Sequence, residues 1–166
     1  MIVYLIGYMG SGKSTIAKKI AASLAWSFID LDKAIEEEIK LSISEIFKVR
    51  GEAYFRELES DVLRKFKSHK NTIISCGGGT PCYHDNMEYM NDTGITVYIR
   101  MTPAALRSRL KVNKSNRPLI ADKNDDELLS YIQESLSLRE KWYTKAKLEI
   151  EGLNPNTTQL YEILRD

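Results

Sequence analysis

Residues 7–15 read GYMGSGKST and follow directly on the apolar stretch 2–6. From Gly7 to Ser14 the spacing is G-x-x-x-x-G-K-[ST], the pattern of a loop whose backbone amides surround a phosphate group. Glycine permits the tight wrapping that turns successive N–H groups toward one anion, and the next helix points its positive end there. Apolar residues from Ile16 to Leu24 recur at helical spacing and predict that helix. A flexible turn that carries a lysine by chance would not explain this strand-loop-helix order, which predicts a nucleotide-binding loop.

Within the loop, two side chains have predicted roles in phosphate chemistry. The Lys13 ammonium would reach the terminal phosphates, and the Ser14 hydroxyl would ligate Mg²⁺. The expected nucleotide contacts in this loop are Gly10, Ser11, Gly12, Lys13, Ser14 and Thr15.

Length, composition and charge indicate an ordinary globular protein. The 166 residues suit one domain over 1–166, and 43% of them are hydrophobic and 28% charged. A net charge of +1 does not support nucleic acid or a membrane surface as partner, and no apolar run reaches the length of a membrane span. Cys76 and Cys82 are too few for a Cys/His metal site and are expected as free thiols in a reducing cytoplasm. We therefore expect a cytoplasmic monomer with no nucleic-acid or membrane partner.

Short apolar runs alternate with helical stretches, which predicts an α/β domain with a mainly parallel sheet. Helix signals include a capping box at Ser42–Glu45, proline after Thr102, and Gly51 between two helices, the second over 52–68. A polar segment over about 111–124 is predicted to be a lid loop. The predicted strands are 2–6, 26–30, 72–76, 95–99 and 147–151.

Unusual residues follow the second and third strands, where parallel sheets bind ligands. Asp30 and Asp32 repel each other unless a cation or a hydroxyl ligand shares them. One carboxylate would help to organise Mg²⁺ and the other would accept a hydrogen bond from a substrate hydroxyl; alternatively, Asp32 caps the next helix. Gly77–Gly79 permit close approach of backbone to a ligand, with a plain turn as the alternative.

Three arginines are candidate anion-binding residues. Arg139 falls within the apolar stripe of the last long helix, which starts near Asp125, and a buried guanidinium there needs an anionic partner. That partner is either a ligand or a structural ion pair, unless the side chain extends outward to solvent. Arg56 and Glu59 are spaced for an intrahelical ion pair, the simpler interpretation. Arg117 either folds over phosphates or is solvated.

Together these motifs resemble the shikimate kinase family, small P-loop enzymes of the nucleoside-monophosphate-kinase type. The loop pattern alone indicates only the superfamily, whereas the ordered set of DxD, FRxxE, GGG and RPL motifs is much more specific. The matching segments, which span nearly the whole chain, are GYMGSGKST at 7–15, FIDLDKAIE at 28–36, GEAYFRELE at 51–59, CGGGT at 76–80, NRPL at 116–119 and LREKWY at 138–143.

The resemblance implies an α/β P-loop three-layer sandwich, with a central parallel sheet of about five strands in the order 2-3-1-4-5 and a mobile lid. It implies transfer of the γ-phosphoryl group of ATP to shikimate with Mg²⁺. Lys13, Asp32 and Arg117 would be catalytic, with Asp32 as the candidate base. The other implied roles are Mg²⁺ binding by Ser14 and Asp30, shikimate binding by Asp32, Arg56, Gly78, Gly79 and Arg139, nucleotide contact by Arg109 and Arg117, orientation of Arg56 by Glu59, and walls from Phe47 and Phe55.

One segment departs from the family's pattern. Many members carry basic residues before an Asn-Pro pair near the C-terminus, whereas here Asn154-Pro155 follow the stretch EGL at 151–153. The adenine contacts and the nucleotide preference therefore stay open. Two alternatives are another small-molecule kinase of this fold, such as a gluconate or nucleotide kinase, and a GTP-dependent switch. The switch usually carries N-K-x-D, and the nearest string here, NKSN at 113–116, lacks the aspartate.

Overall fold

Five parallel strands form one sheet in the order β2-β3-β1-β4-β5. The structure is a computed structural model that describes residues 1–112, 114, 117 and 119–165. Predictions that involve Asn116 and Pro118 of the lid motif lie outside these residues. The predicted strand order is confirmed, and the strand bounds shift by one residue at most. The strands are β1 Ile2–Ile6, β2 Ser27–Asp30, β3 Thr72–Ser75, β4 Ile95–Arg100 and β5 Leu148–Glu151.

Helices cover both faces of the sheet, which confirms the three-layer arrangement. None of the helices in the described part of the chain combines the length and the apolar character needed to cross a membrane. The helices are α1 Lys13–Leu24, α2 Leu31–Ile39, α3 Ile43–Arg50, α4 Glu52–Lys65, α5 Asn86–Thr93, α6 Pro103–Val112, α7 Asp125–Tyr143 and α8 Thr157–Arg165, with a short 3₁₀ helix at Thr80–Cys82.

The central strand β1 is buried along its whole length, and its side chains alternate between two cores. Val3 and Leu5 pack with the apolar faces of α1 and α8. Ile2, Tyr4 and Ile6 pack on the opposite face with residues from α2 to α7. The larger core lies under the helices that carry the predicted arginines, so it fixes their positions relative to β1.

Local capping explains several helix boundaries. The capping box of Ser42 and Glu45 is present, and Gly51 ends α3 with a φ of 84°. Asp30, and not Asp32, caps α2, because its carboxylate accepts a hydrogen bond from the backbone of Lys33 at 3.3 Å. The alternative role of Asp32 as a helix cap is therefore wrong.

Two predicted helix boundaries differ from those of the structure. The helix α4 ends at residue 65 rather than 68. The helix α6 continues through Val112, so residues 111 and 112 are helical rather than part of a loop.

Gly94 lies between α5 and β4, where the backbone passes close to β1. A Cβ atom there would collide with the carbonyl oxygen of Ile2 and would lie 2.9 Å from Cε2 of the buried Tyr4 ring. We expect Gly94→Ala to lower the free energy of unfolding by about 1–3 kcal/mol, because strand backbone and a packed ring cannot move aside without cost. Chemical denaturation measures this change. Asp92→Ala, at an exposed position of α5, is the control, and equal stability of the two variants would contradict the prediction.

Candidate active site

Two cavities meet at the carboxyl edge of the sheet, where β1, β2 and β3 end. The loop cavity, of about 360 Å³, is lined by the phosphate-binding loop, and the arginine cavity, of about 310 Å³, contains Arg56 and Arg139. The predicted residues Gly10, Gly12, Lys13, Ser14, Thr15, Asp30, Arg109 and Arg117 all line the loop cavity. The cavities share Met9, Asp32, Gly77 and Gly78. A ligand in one cavity therefore lies directly beside a ligand in the other.

Lys13 begins α1 and is buried beneath the turn of the loop. Its ammonium donates hydrogen bonds to the carbonyl oxygens of Gly7 at 2.8 Å and Tyr8 at 2.9 Å. Burial lowers the pKa of Lys13 to about 8, although the charge of Asp32 opposes this shift. The residue before α1, Gly12, has a φ of 88° and offers no side-chain cap, so the first amides of α1 are available to an anion.

Ser11 differs from the other predicted loop residues because its side chain is fully buried and does not line the cavity. Its backbone N–H donates to the carbonyl oxygen of Tyr8 at 3.2 Å, which closes the turn of the loop. Among the described residues its hydroxyl has no hydrogen-bond partner. The structure thus gives Ser11 a place in the shape of the loop rather than on the cavity wall.

Oxygen atoms from one helix and two strands meet at the predicted metal position. The Ser14 hydroxyl donates to Oδ2 of Asp30 at 3.0 Å and lies 3.0 Å from the hydroxyl of Ser75. Hydroxyl and carboxylate oxygens are ligands that Mg²⁺ prefers, and this ion usually keeps several waters and phosphate oxygens as well. Within the described ranges, no cluster of three histidine, cysteine, aspartate or glutamate side chains could hold a metal on its own. The donor set fits a cation shared with phosphate.

Asp32 lies where the two cavities join. Burial raises the pKa of its carboxyl group to about 6, and the negative charges of Glu59 and Asp30 add to this effect. Gly77 allows the crowding, because a Cβ atom there would lie 3.1 Å from Oδ1 of Asp32 and 3.1 Å from Oε2 of Glu59. A carboxylate with a raised pKa is suited to accept a proton near neutral pH.

The predicted pair of Arg56 and Glu59 is present, but it is buried rather than exposed on a helix flank. Nη1 of Arg56 donates to Oε1 of Glu59 at 3.0 Å, and the Glu59 side chain is 1% exposed. Thr80 donates its hydroxyl hydrogen to Oε2 of Glu59 at 2.7 Å. A Cβ atom on Gly79 would lie 2.6 Å from both Nη atoms, so only glycine leaves room for this guanidinium. The intrahelical ion pair that the spacing predicts is therefore present, and it is buried.

Arg139 is half-buried, and it forms no ion pair with a carboxylate in the part of the chain that the structure describes. Its guanidinium lies over the ring of Tyr8, 5.6 Å from the ring centre. Gly78 gives it space, because a Cβ atom there would lie 3.3 Å from Nη1. The ring of Tyr143 lies nearby and donates its hydroxyl hydrogen to the carbonyl oxygen of Gly78 at 2.5 Å. Among the described residues, the structural ion pair that the spacing allowed is therefore absent, and Arg139 lines the arginine cavity.

Cys76, and not Cys82, lines one of the two cavities. Cys76 is buried against the loop cavity, and its S–H donates to the sulfur of Met90 at 3.7 Å. Burial raises the pKa of Cys76 well above its ordinary value and that of Cys82 to about 11. Neither thiol is positioned as an ionised nucleophile.

Sequence reasoning assigned no role to several residues of the site, including Met9, Glu52, Ser75 and Thr80. Ser75 pairs with Asp30 in the register of β2 and β3. Its position at the end of a strand beside the strand of Asp30 could therefore have predicted it as a site residue. Met9, within the loop motif itself, lines both cavities. Glu52 contacts Arg56 from one turn away on α4, a spacing that the sequence shows, whereas the contact of Thr80 with Glu59 forms only when the chain folds.

A phosphate-binding loop beside a small cavity with two arginines defines a P-loop small-molecule kinase. The family model "Shikimate kinase" matches residues 9–165. The chain belongs to the shikimate kinase family, and this membership implies a transferase with an ATP-binding P-loop that acts in the shikimate pathway.

Known proteins show the same similarity in sequence and in structure. The chain is 48% identical over 145 residues to a shikimate kinase of Phocaeicola vulgatus, covering 87% of this chain and 83% of that protein. The crystal structure of shikimate kinase from Bacteroides thetaiotaomicron matches with a TM-score of 0.93 at 41% identity, over 100% of this chain and 99% of that one. Shikimate kinase from Acinetobacter baumannii in complex with shikimate matches with a TM-score of 0.84 at 31% identity, over 99% and 90%.

The raised pKa of Asp32 predicts a pH-dependent gain of stability in Asp32→Asn. The pKa rises from an ordinary 3.8 to about 6, so between these values the folded chain binds more protons and its stability falls as pH rises. Removing the charge should raise the free energy of unfolding at pH 7.5 by on the order of 1–2 kcal/mol. Below the ordinary value of 3.8 the gain should vanish.

Chemical denaturation of both proteins at pH 7.5 and at a pH below 3.8 measures this difference in stability. Asp61→Asn, at an exposed position of α4, is the matched control and should change little at either pH. If Asp32→Asn is no more stable than the parent chain at pH 7.5, the ionised Asp32 carboxylate does not destabilise the folded state.

Proposed function

We propose that this chain transfers the γ-phosphoryl group of ATP to a ring hydroxyl of shikimate, forming shikimate 3-phosphate, with Mg²⁺ as the metal. Members of the family use ATP as co-substrate, and the Acinetobacter baumannii relative was solved with shikimate bound. The observation that carries the proposal is the cavity with Arg56 and Arg139, which shares Asp32 with the phosphate-binding loop. Cations for a carboxylate and an acceptor for a hydroxyl are what a small polyol acid requires.

The two arginines contribute differently to binding the acceptor. Arg56 is neutralised in advance by Glu59 and held rigid, so it offers the N–H groups that Glu59 leaves free. Arg139 has no carboxylate partner in the described part of the chain, so the shikimate carboxylate would supply its counter-charge. Guanidinium groups bind carboxylates through paired, charge-assisted hydrogen bonds. Gly78 and Gly79 leave the space that this requires.

On the nucleotide side, the loop and the start of α1 would hold the phosphates. Lys13 would exchange its two carbonyl partners for phosphate oxygens, and Arg117 would approach from the lid. Arg109 lines the same cavity and would contact the nucleotide. Ser14 and Asp30 would hold Mg²⁺, which supplies charge neutralisation at the phosphate oxygens when it is bound.

The reaction follows from these placements as an in-line displacement. The acceptor hydroxyl oxygen forms a bond to the γ-phosphorus while the bond to the β-γ bridging oxygen breaks, and ADP leaves. Asp32 accepts the hydrogen bond of that hydroxyl and takes its proton, which suits a carboxyl group with a pKa of about 6. Lys13 and Arg117 stabilise the spread negative charge. Closure of the lid excludes water, which would otherwise accept the phosphoryl group.

We further infer one domain over 1–166 that acts as a cytoplasmic monomer without a nucleic-acid or membrane partner. The continuous five-stranded sheet supports a single domain. The net charge of +1 and two cysteines without a disulfide support the cellular setting.

Release of ADP from ATP should depend on shikimate, because water is excluded and only a bound acceptor completes the site. Lys13→Met should abolish this release and leave the fold intact, since a methionine fills the same buried space without the charge. A coupled assay for ADP measures turnover. Lys19→Met, an exposed position of α1, is the matched control. Equal turnover with gluconate or a nucleoside monophosphate, or with no acceptor, would overturn the assignment of the substrate.

Arg139→Ala should weaken binding of the acceptor and leave binding of the nucleotide nearly unchanged. We expect the KM for shikimate to rise by roughly 10- to 100-fold, because hydrogen bonds to charged groups contribute about 1.5–3 kcal/mol. The affinity for ATP, measured by calorimetry, should stay nearly the same. Arg100→Ala, whose guanidinium pairs with Glu149 on the surface, is the control. Equal weakening of both substrates would count against the carboxylate role.

A further inference from the structure

Arg56 is held on several sides, and only part of this holding comes from ion pairs. Glu59 takes one N–H of Nη1 at 3.0 Å. Glu52 approaches Nε and Nη2 at 3.4 Å each, but its side chain is 54% exposed. Long contacts to a solvated carboxylate fix a guanidinium weakly. The ion pairs therefore restrain Nη1 of Arg56 well but Nε and Nη2 only weakly.

The guanidinium of Arg56 lies over the ring of Tyr83. The Cζ atom of Arg56 lies 4.1 Å from the ring centre, a shorter distance than that of Arg139 to its tyrosine ring, 5.6 Å. Tyr83 follows the 3₁₀ helix in an extended conformation and is half-buried. Its hydroxyl donates to Oε1 of Glu52 at 2.9 Å, so the far end of the ring is fastened to α4. The ring is thus anchored both through the backbone and through its tip.

Stacking of this kind restrains orientation without using hydrogen bonds. A guanidinium carries its five N–H groups in one plane, and an aromatic ring against its face leaves those groups free. The ring also attracts the cation electrostatically. The hydrogen bond to Glu59 and the contact with the Tyr83 ring together restrain rotation of the guanidinium and so restrain the direction of its remaining N–H groups.

We propose that Tyr83 is a positioning residue that holds the Arg56 guanidinium in the plane required by the acceptor carboxylate. This inference rests on the proposed function, because it takes Arg56 as a ligand of the shikimate carboxylate. The aromatic ring does the positioning, and the hydroxyl serves to fasten the ring to Glu52. Tyr83 itself need not touch either substrate.

Two substitutions separate the ring from its hydroxyl. Tyr83→Leu removes the stacking and should raise the KM for shikimate by roughly three- to tenfold, with kcat and the KM for ATP unchanged. Tyr83→Phe retains the ring and should restore the KM to near that of the parent chain. Calorimetric titration with shikimate in the absence of nucleotide should show the same order of affinities. If Tyr83→Leu does not fold, Tyr83→Met takes its place.

Tyr54→Leu is the matched control, because Tyr54 lies on α4 beside Arg56 but its ring contacts a different arginine, with Cζ of Arg50 5.4 Å from the ring centre. This variant should leave the KM for shikimate unchanged. Thermal unfolding of every variant shows whether a loss of stability accompanies the change in KM. Equal effects of Tyr54→Leu and Tyr83→Leu on the KM for shikimate would overturn the inference. A fall in kcat without a rise in this KM for Tyr83→Leu would overturn it as well, and so would a KM of Tyr83→Phe as high as that of Tyr83→Leu.

Arg56→Lys distinguishes failure of this inference from failure of the proposed function. It keeps a charge for Glu59 but loses the planar fork, so it should raise the KM for shikimate, and Tyr83→Leu should add little to it. If Arg56→Lys has no effect, Arg56 does not bind the acceptor and the proposed site is overturned. If Arg56→Lys raises the KM and Tyr83→Leu does not, only the role of Tyr83 is overturned.

Discussion

The ammonium group of Lys13, bonded to the carbonyl oxygens of Gly7 and Tyr8, is the interaction on which the site depends. A buried cation without partners would be very costly, and the loop bends so that its own backbone supplies them. The bend brings the end of β1, the loop and the start of α1 to a single point. Because β1 is the central strand, its neighbours β2 and β3 end at the same place with their carboxylate and glycine residues.

Charge is distributed unequally between the two cavities. Glu59 neutralises Arg56 in advance, whereas Asp32 carries its charge against burial and against its acidic neighbours. Arg139 faces the same space without a carboxylate partner in the described residues. The folded chain therefore holds charges that it stabilises poorly on its own and that bound substrates would balance. Functional sites commonly combine such local instability with a well-packed core.

Much of this arrangement could be predicted from local patterns in the sequence. The loop motif, the apolar runs and the capping box at Ser42 each depend on neighbouring residues, and the structure confirms all three. Arg139 was found because a charge interrupts the apolar stripe of α7. The environment of Arg56 could not be predicted, because helical spacing gives a direction around α4 but not which residue packs there. Tyr83, from a segment 27 positions later, supplies that environment only after folding.

The helix α8 shows a second limit of local reasoning. Leu160 and Leu164 lie one turn apart and are buried against the face of the sheet that α1 covers. Their spacing is helical, but a segment of nine residues is too short to form a stable helix without tertiary contacts. Packing on α1, rather than intrinsic propensity, accounts for this helix.

Cys76 has a chemical consequence for small molecules that enter the loop cavity. Cys76 lines that cavity, yet burial raises the pKa of its thiol and keeps it protonated throughout the physiological pH range. Electrophilic warheads and peroxides react with thiolates rather than with thiols. An acrylamide or a chloroacetamide placed in the loop cavity would therefore meet a protonated sulfur atom that behaves as an inert apolar group.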